Sequence, residues 1–585
     1  MIYRSPFPDI EIPVRPLHDH VFEHADRWPD KPALIDGPTD RTLTYAQLRS
    51  AVRTVAAGLA ARGFARGDVL AIYSPNLPEY AAAFFGVSTA GGIVTTMNPL
   101  YTAEEVNRQL QDSGARFLLT IPQFLDAARK GAENTGVEEI FVFGEADGAT
   151  PFASLMAGGE PPAATIDPRD DLAALPYSSG TTGLPKGVML THYNLVANVV
   201  QIAANEGIAA EDTLIGILPF YHIYGMTVIM SASLQAGATI VTMPRFDLEQ
   251  FLGLLQKHRV TTAYLVPPIV LALAKHPLVD KFDISSLKNI MSGAAPLPES
   301  VARGAAARND MLVRQGYGLT ETSPVTHTNS PRKETRITSV GTSLPNTEWR
   351  IVDVATHRDA APGALGEVWI RGPQVMKGYL HNPEATRQML DADGWLHTGD
   401  IGKADEDGYL YVVDRLKELI KYKAFQVAPA ELEAAVQSHP AVADAAVIPS
   451  PDEEAGEVPK AFVVLREGAS ATAEEIMAHV AAQVSPQKKV RRVEFIDAIP
   501  KVPSGKILRR QLVERERARL ALTGSVRQRA LTGRRRERTK HFPRSHRRSG
   551  RLPERAGWGG RTDAGRTPAP LQAHRRRSAR CHRPL

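Results

Sequence analysis

The residues best suited to chemistry lie in YSSGTTGLPKGVMLTH, positions 177–192. Gly180, Gly183 and Gly187 let the backbone approach a ligand closely, while Ser178, Ser179, Thr181 and Thr182 offer hydroxyl donors. With Lys186 added, this composition suits phosphate oxygens. It is not the GxxxxGK[ST] loop of the mononucleotide kinases. Pro185 stands where that motif needs glycine, and Gly187, not Ser or Thr, follows Lys186. Taken alone, such a segment is more often a polar surface turn, so its meaning depends on what the rest of the chain places around it.

The first 170 residues alternate helical and extended patterns, which predicts an α/β architecture with a largely parallel, covered sheet. Thr44 and Gln47 have capping-box spacing and precede Leu48, Val52, Val55 and Leu59, a single apolar stripe at helical intervals. VLAIY (69–73) reads as a buried strand, 79–92 as a helix ending at glycine, and IVTT (93–96) as the next strand. Thr102 and Glu105 repeat the capping spacing, and IFVF (140–143) reads as a further interior strand. From about 418 the units shorten: a helix over 429–438, strands near 442–448 and 460–465, a helix over 473–484 and a strand at 492–496. That predicts a small α+β domain, with a boundary near 415 where ligands commonly bind.

Composition narrows the chemistry. Of 585 residues 43% are hydrophobic and 23% charged, as in a globular protein with several cores. One cysteine, Cys581, excludes an internal disulfide and a cysteine-based zinc or iron–sulfur site. The N-terminus lacks the apolar core of a secretory signal and no run reaches about 18 apolar residues, so a cytoplasmic protein without a membrane span is expected. Residues 521–585 hold 19 Arg or Lys against 3 Asp or Glu, whereas 1–520 hold 50 against 61. The tail is expected to be disordered, because it cannot bury enough apolar surface to offset its ordering entropy. Its Arg clusters suit a nucleic-acid- or membrane-binding arm. The plainer reading, a solvated and non-native extension, is preferred because no aromatic pattern accompanies the charge.

Seven further segments turn the loop into a resemblance. They are LPFYHIYG (218–225), SGAAPLP (292–298) with QGYGLTET (315–322), GEVWIRGP (366–373), GWLHTGDIG (394–402), VVDRLKELIKYKAFQVAPAELE (412–433) and PSGKILRR (503–510). In this order, over about residues 10–515, the chain resembles the adenylate-forming acyl-CoA synthetases, in pattern most like the 4-coumarate–CoA ligases. The resemblance implies an α/β fold: a large multi-subdomain N-terminal domain over 1–414, a hinge at 415–417 and a small mobile α+β domain over 418–515. It also implies a two-step reaction. A carboxylate attacks the α-phosphorus of MgATP to give an acyl-adenylate and pyrophosphate, and the CoA thiol then takes the acyl group and releases AMP.

Site roles follow from motif matching. Thr181, Thr182, Gly183 and Lys186 belong to the loop that holds the β- and γ-phosphates, with Ser178, Ser179 and Gly180. Tyr317 lies along adenine, Thr320 contacts phosphate, and Glu321, with Thr181, associates with Mg2+. Asp400 and Arg415 bind the ribose; Gly293, Ala294, Ala295, Gly316, Gly318 and Val412 complete the nucleotide site. Lys506 is the catalytic lysine of adenylation, while Lys417 marks the hinge and Lys421 serves the thioester step. His222 faces the substrate carboxylate, and Ile223, Tyr224, Val228, Gly293, Gly316, Pro324 and Val325 line the acyl pocket. In that pocket the two glycines are expected to leave depth for an aromatic ring, and Tyr224 to bond a para-hydroxyl.

Two positions depart from the family pattern. Ala424 stands in YKAFQ where glycine is usual, beside Phe425 and Gln426 in the expected CoA tunnel, and an added Cβ there costs about 1–3 kcal/mol if the site is tight. Gln487 replaces a frequent aromatic. The reading is therefore a ligase joining a cinnamate-type acid to CoA, as a monomer or homodimer. Three alternatives stay open: a medium-chain fatty acid substrate, an acyl-AMP-forming enzyme with weak transfer to CoA, and a binding protein acting through its tail.

Overall fold

The computed structural model describes residues 1–178, 185–423, 425–452, 454–501 and 505–520. The Arg-rich tail, Ser179, Gly180, Thr181, Thr182 and Gly183 of the expected phosphate loop, and Ala424 lie outside them. Met1–Ala518 forms one compact unit and Arg519–Leu585 a second.

Capping dictates where the expected helices start. In helix Tyr45–Ala61 the Thr44 hydroxyl accepts from the Gln47 amide while the Gln47 side chain accepts from the Thr44 amide, and Leu48, Val52, Val55 and Leu59 are all buried. The same reciprocal cap opens Ala103–Ser113 at Thr102 and Glu105. Each such cap contributes about 1 kcal/mol. The helix expected over 79–92 runs Pro78–Thr89, because the chain turns at Ala90 and takes φ +79° at Gly91. The later helix stops at Ala481, three residues short of expectation.

Among the described residues the large part holds three sheets. An eight-stranded sheet has a parallel interior built on Val69–Tyr73, Ile93–Met97, Ala115–Thr120 and Glu139–Val142. Its other side continues through Leu172–Ser178 to Lys186–Thr191, an antiparallel pair on either side in sequence of the Gly/Ser/Thr segment expected to bind phosphate. A nine-stranded sheet carries the parallel neighbours Thr213–Gly216, Thr262–Leu265, Asn289–Ser292 and Leu312–Gly318. A four-stranded antiparallel sheet includes Leu396–Ala404 and Leu410–Arg415. Strands and helices of the two larger sheets share one apolar core.

The small part has its own core around Ile420, Leu432, Val436, Val447, Val463 and Val480. Its sheet pairs Val442–Asp452 with Gly456–Leu465, adds Arg492–Phe495 in parallel, and is flanked by helices Pro429–Gln437 and Ala473–Ala481. Among the described residues no helix is long and apolar enough to cross a membrane.

Helix His192–Glu206 is tied to the N-terminal segment through buried imidazoles. His192 Nδ1 accepts the Leu17 amide at 3.1 Å, and His18 Nδ1 lies 2.9 Å from Ser88 Oγ. Burial pushes His192 down to about 3 and His20 to about 4, and lowers His18 as well. The carboxylates facing them, Asp171, Glu23 and Asp19, oppose the shifts without cancelling them; His18 beside His192, and Arg15 and His24 beside His20, add to them. The unfolded chain binds protons at these rings from about pH 6.5 downward, whereas the folded chain does not. Stability is therefore full above about pH 6.5 and falls below it, by about 1.4 kcal/mol per pH unit for each ring held neutral. In denaturant titrations His192→Asn is expected to lose less stability between pH 7 and pH 5 than the parent. Equal losses would contradict this account.

Candidate active site

The four parallel strands of the nine-stranded sheet deliver their carboxyl ends to one edge, where open α/β sheets bind ligands. The segments that follow them carry His222, Val266 to Pro268, Gly293 to Ala295, and Tyr317 to Glu321. Ala294 takes φ +69°, uncommon for an alanine, as the chain leaves the third strand. At Gly318 a Cβ would stand 2.1 Å from the Pro324 carbonyl oxygen, so only glycine fits where the chain folds back. The turn Thr320–Thr322 leaves Thr320 half-buried and buries Glu321.

Asp400 and Arg415 face each other across two paired strands, with Arg415 Nε 3.4 Å from Asp400 Oδ1. The Tyr317 hydroxyl donates to Asp400 Oδ2 at 2.6 Å. Asp400 is only 5% exposed, and burial raises its pKa against the pull of Arg415, Tyr317 and Lys506. Val412 packs with Tyr317 in the apolar cluster around Trp349.

Lys506 joins this group from the small part of the molecule. The preceding residue, Gly505, lies against the large part: a Cβ there would meet Pro268 Cδ at 3.0 Å. Burial and then Arg415 push the Lys506 ammonium down to about 8, while Glu418, Asp400 and Glu321 pull the other way. Three residues on, Arg509 donates to Glu418 at 2.6 Å and to both oxygens of Glu433 at 2.9 and 2.7 Å. That clamp holds the segment bearing Lys506 against the start of the small sheet.

His222 is lowered to about 4 by burial and then by Lys506. Its Nδ1 accepts the Tyr224 amide at 3.2 Å, so the neutral ring carries its proton on Nε2 and can donate there. Tyr224 opens a π-helix, Tyr224–Ala232, in which Val228 is buried; Ile223 just before it is buried too. The Tyr224 hydroxyl donates to the Met291 carbonyl at 3.2 Å, which leaves it only an acceptor for a para-hydroxyl. A Cβ at position 293 would meet the Tyr224 ring at 2.9 Å, so the missing Cβ of Gly293 makes room for the protein's own tyrosine. At Gly316 the nearest groups would be the His327 carbonyl and Met291 Sδ, both at 3.3 Å. Pro324 is buried after a cis peptide bond, and Val325 is partly buried.

Ser178 pairs with Lys186 at the base of the phosphate loop. The Lys186 ammonium lies 4.9 Å from the centroid of the Tyr379 ring, and the Tyr379 hydroxyl donates to Glu321 Oε1 at 2.8 Å. Sequence reasoning missed Tyr379, which stands in an apolar-looking MKGYL segment nearly 200 residues from Lys186. Lys417 and Lys421 are exposed, and among the described residues neither is joined to the group around Asp400. Phe425 and Gln426 pair through backbone with Tyr422 and Lys421.

Tyr379 occupies one oxygen of Glu321, the residue expected from the sequence to associate with a divalent cation, and among the described residues no cluster of three metal-binding side chains forms. A hard cation that keeps water and takes nucleotide oxygens fits such a sparse protein shell.

The AMP-binding enzyme profile matches residues 21–380 and its C-terminal domain matches 431–506. The chain belongs to the AMP-binding enzyme family. It is 46% identical over 534 residues to 4-coumarate–CoA ligase 1 of Petroselinum crispum, covering 89% of this chain and 97% of that one. Against 4-coumarate–CoA ligase 5 of Oryza sativa subsp. japonica the identity is 45% over 532 residues, with 89% and 97% covered. Among solved structures, ATP-bound MatB from Rhodopseudomonas palustris superposes with a TM-score of 0.80 at 31% identity, covering 86% of this chain and 99% of that one. The anthranilate CoA ligase AuaEII with anthranoyl-AMP superposes at 0.81 and 26%, covering 88% and 99%. This is an adenylate-forming, ATP-dependent ligase of the AMP-forming type, with the family's large N-terminal and small C-terminal domains.

The burial of Lys506 has a direct signature. Competitive acetylation read by mass spectrometry is expected to label Lys506 with a midpoint near pH 8. Exposed lysines titrate at about 10.4. A midpoint with the exposed lysines would contradict the buried placement.

Proposed function

We propose that this chain joins a cinnamate-type acid, 4-coumarate or cinnamate, to CoA at the expense of ATP. The observation that carries the reading is the Lys506 ammonium, brought from the small domain to Asp400, Glu321 and His222 of the large one. In the first step a carboxylate oxygen of the acid attacks the α-phosphorus and the bond to pyrophosphate breaks. Lys506 is assigned to bridge the carboxylate and the α-phosphate as negative charge builds. His222 donates from Nε2 to the acid, which holds the attacking oxygen in line. Asp400 and Arg415 take the ribose hydroxyls, Tyr317 lies along adenine, and Thr320 and Lys186 with the loop at 178–183 hold the phosphates. Glu321 and Thr181 would hold Mg2+, whose charge offsets that of the phosphates.

In the second step the CoA thiol attacks the carbonyl, its proton is released and AMP departs. Lys421 is assigned to this step, after rotation about a hinge at 415–417 that divides 1–414 from 418–515. Lys421 is exposed whereas Lys506 is partly buried and desolvated, which supports an arrangement suited to adenylation. The named activity of the plant relatives supports the cinnamate class. So does Tyr224, which can accept from a para-hydroxyl while buried Val228 supplies no second polar partner. A hydroxyl with incomplete pairing costs about 1–3 kcal/mol, so discrimination between 4-coumarate and cinnamate is small. A monomer or homodimer in the cytoplasm completes the proposal.

The protein is to be incubated with MgATP and a panel of cinnamates and medium-chain fatty acids, with and without CoA, and the products read by mass spectrometry. Cinnamoyl- or coumaroyl-CoA with AMP and pyrophosphate is the expected result. A fatty acyl-CoA alone would contradict the substrate class, and acyl-AMP that persists in CoA would contradict efficient transfer and point to Ala424.

A further inference from the structure

Tyr379 touches both groups that the phosphate end of the nucleotide needs. It lies on Gly378–Tyr379, a short strand paired antiparallel to Lys186–Thr191 with Tyr379 opposite Val188. The Leu380 amide donates to the Gly187 carbonyl at 2.9 Å, and the Met376 amide to the Glu321 carbonyl at 2.9 Å. Its own amide donates to Thr386 Oγ1 at 2.9 Å. The backbone around Tyr379 is thus bonded on one side to the stem of the phosphate loop and on the other to the turn bearing Glu321.

The side chain repeats that double connection. Its ring face meets the Lys186 ammonium at 4.9 Å, inside the range of a cation–π contact, and its hydroxyl donates to Glu321 Oε1 at 2.8 Å. Tyr379 is 5% exposed and Glu321 is equally buried, so neither group can exchange this partner for water. A buried tyrosine needs an acceptor, but one that fills Glu321 Oε1 also sets which oxygen faces the ligand.

We infer that Tyr379 is a positioning residue which fixes the Lys186 ammonium and the second oxygen of Glu321 relative to each other, so that a metal-bound triphosphate meets both in register. The inference rests on the phosphate and metal roles proposed above for Lys186 and Glu321. Tyr379→Phe removes the bond to Glu321 and keeps the ring under Lys186; Tyr379→Leu removes both.

The test uses the full chain with Mn2+ and a non-hydrolysable α,β-methylene ATP, reading bound Mn2+ by electron paramagnetic resonance. Losing an outer partner of a metal ligand weakens metal binding about ten- to a hundredfold. Tyr379→Phe is expected to show a loss of that size, with metal-free ATP analogue binding and CoA attack on preformed acyl-adenylate unchanged. Tyr379→Leu is expected to weaken analogue binding without metal as well. Unchanged Mn2+ affinity in Tyr379→Phe, while Glu321→Gln lowers it, would overturn the positioning role alone. Unchanged affinity in Glu321→Gln would remove the metal role of Glu321 and the inference with it. Equal loss of both half-reactions in Tyr379→Phe would make the residue merely structural and overturn the inference.

Discussion

The arrangement depends on keeping one carboxylate, Asp400, out of water. An isolated buried carboxylate is costly, and its cost is met here by the Tyr317 hydroxyl, by Arg415 across the strand pair and by the field of Lys506. Those partners come from three regions far apart in sequence. The four-stranded sheet must therefore dock on the edge of the nine-stranded one for Tyr317 to reach Asp400. The small domain must lie against Pro268 for Lys506 to reach both. Burial also depresses Lys506 toward neutrality, so the acids around it are needed to keep the ammonium charged at neutral pH.

Beneath the acyl side runs a second buried charge pair. Arg314 donates to Glu206 Oε2 at 2.9 Å and to the Asn329 carbonyl at 2.7 Å, while the Thr328 hydroxyl donates to Glu206 Oε1 at 2.7 Å. Both charges are nearly inaccessible, so removing one partner alone costs about 3–5 kcal/mol. The pair ties helix His192–Glu206 to the strands that bear Tyr317 and Val325, and its field reaches Tyr224 and Tyr264. Tyr224 and Tyr264 thus stand close to a polar floor, with the bulk of Tyr224 accommodated by the missing Cβ of Gly293.

Much of this was legible in the sequence, for local reasons. Capping boxes at Thr44 and Thr102 and short apolar runs such as VLAIY are signals contained within a few residues, and they fixed elements to within three residues. The convergence of Tyr317, Asp400, Arg415 and Lys506 was legible only through the family resemblance, because nothing in their spacing encodes a meeting across 189 positions. The π-helix at 224–232 escaped because its residues are apolar on all sides and give no periodicity. Tyr379 escaped because its partners are tertiary, and the close approach of the Tyr224 ring to Gly293 escaped for the same reason.

In the proposed reaction the small domain delivers Lys506 for adenylation and not for thioester formation. Rapid-quench comparison of Lys506→Ala with the parent in the two half-reactions addresses it most directly. The account requires that pyrophosphate formation from MgATP and acid be abolished while CoA attack on preformed acyl-adenylate proceeds at the parent's rate. An equal loss in both half-reactions would contradict it.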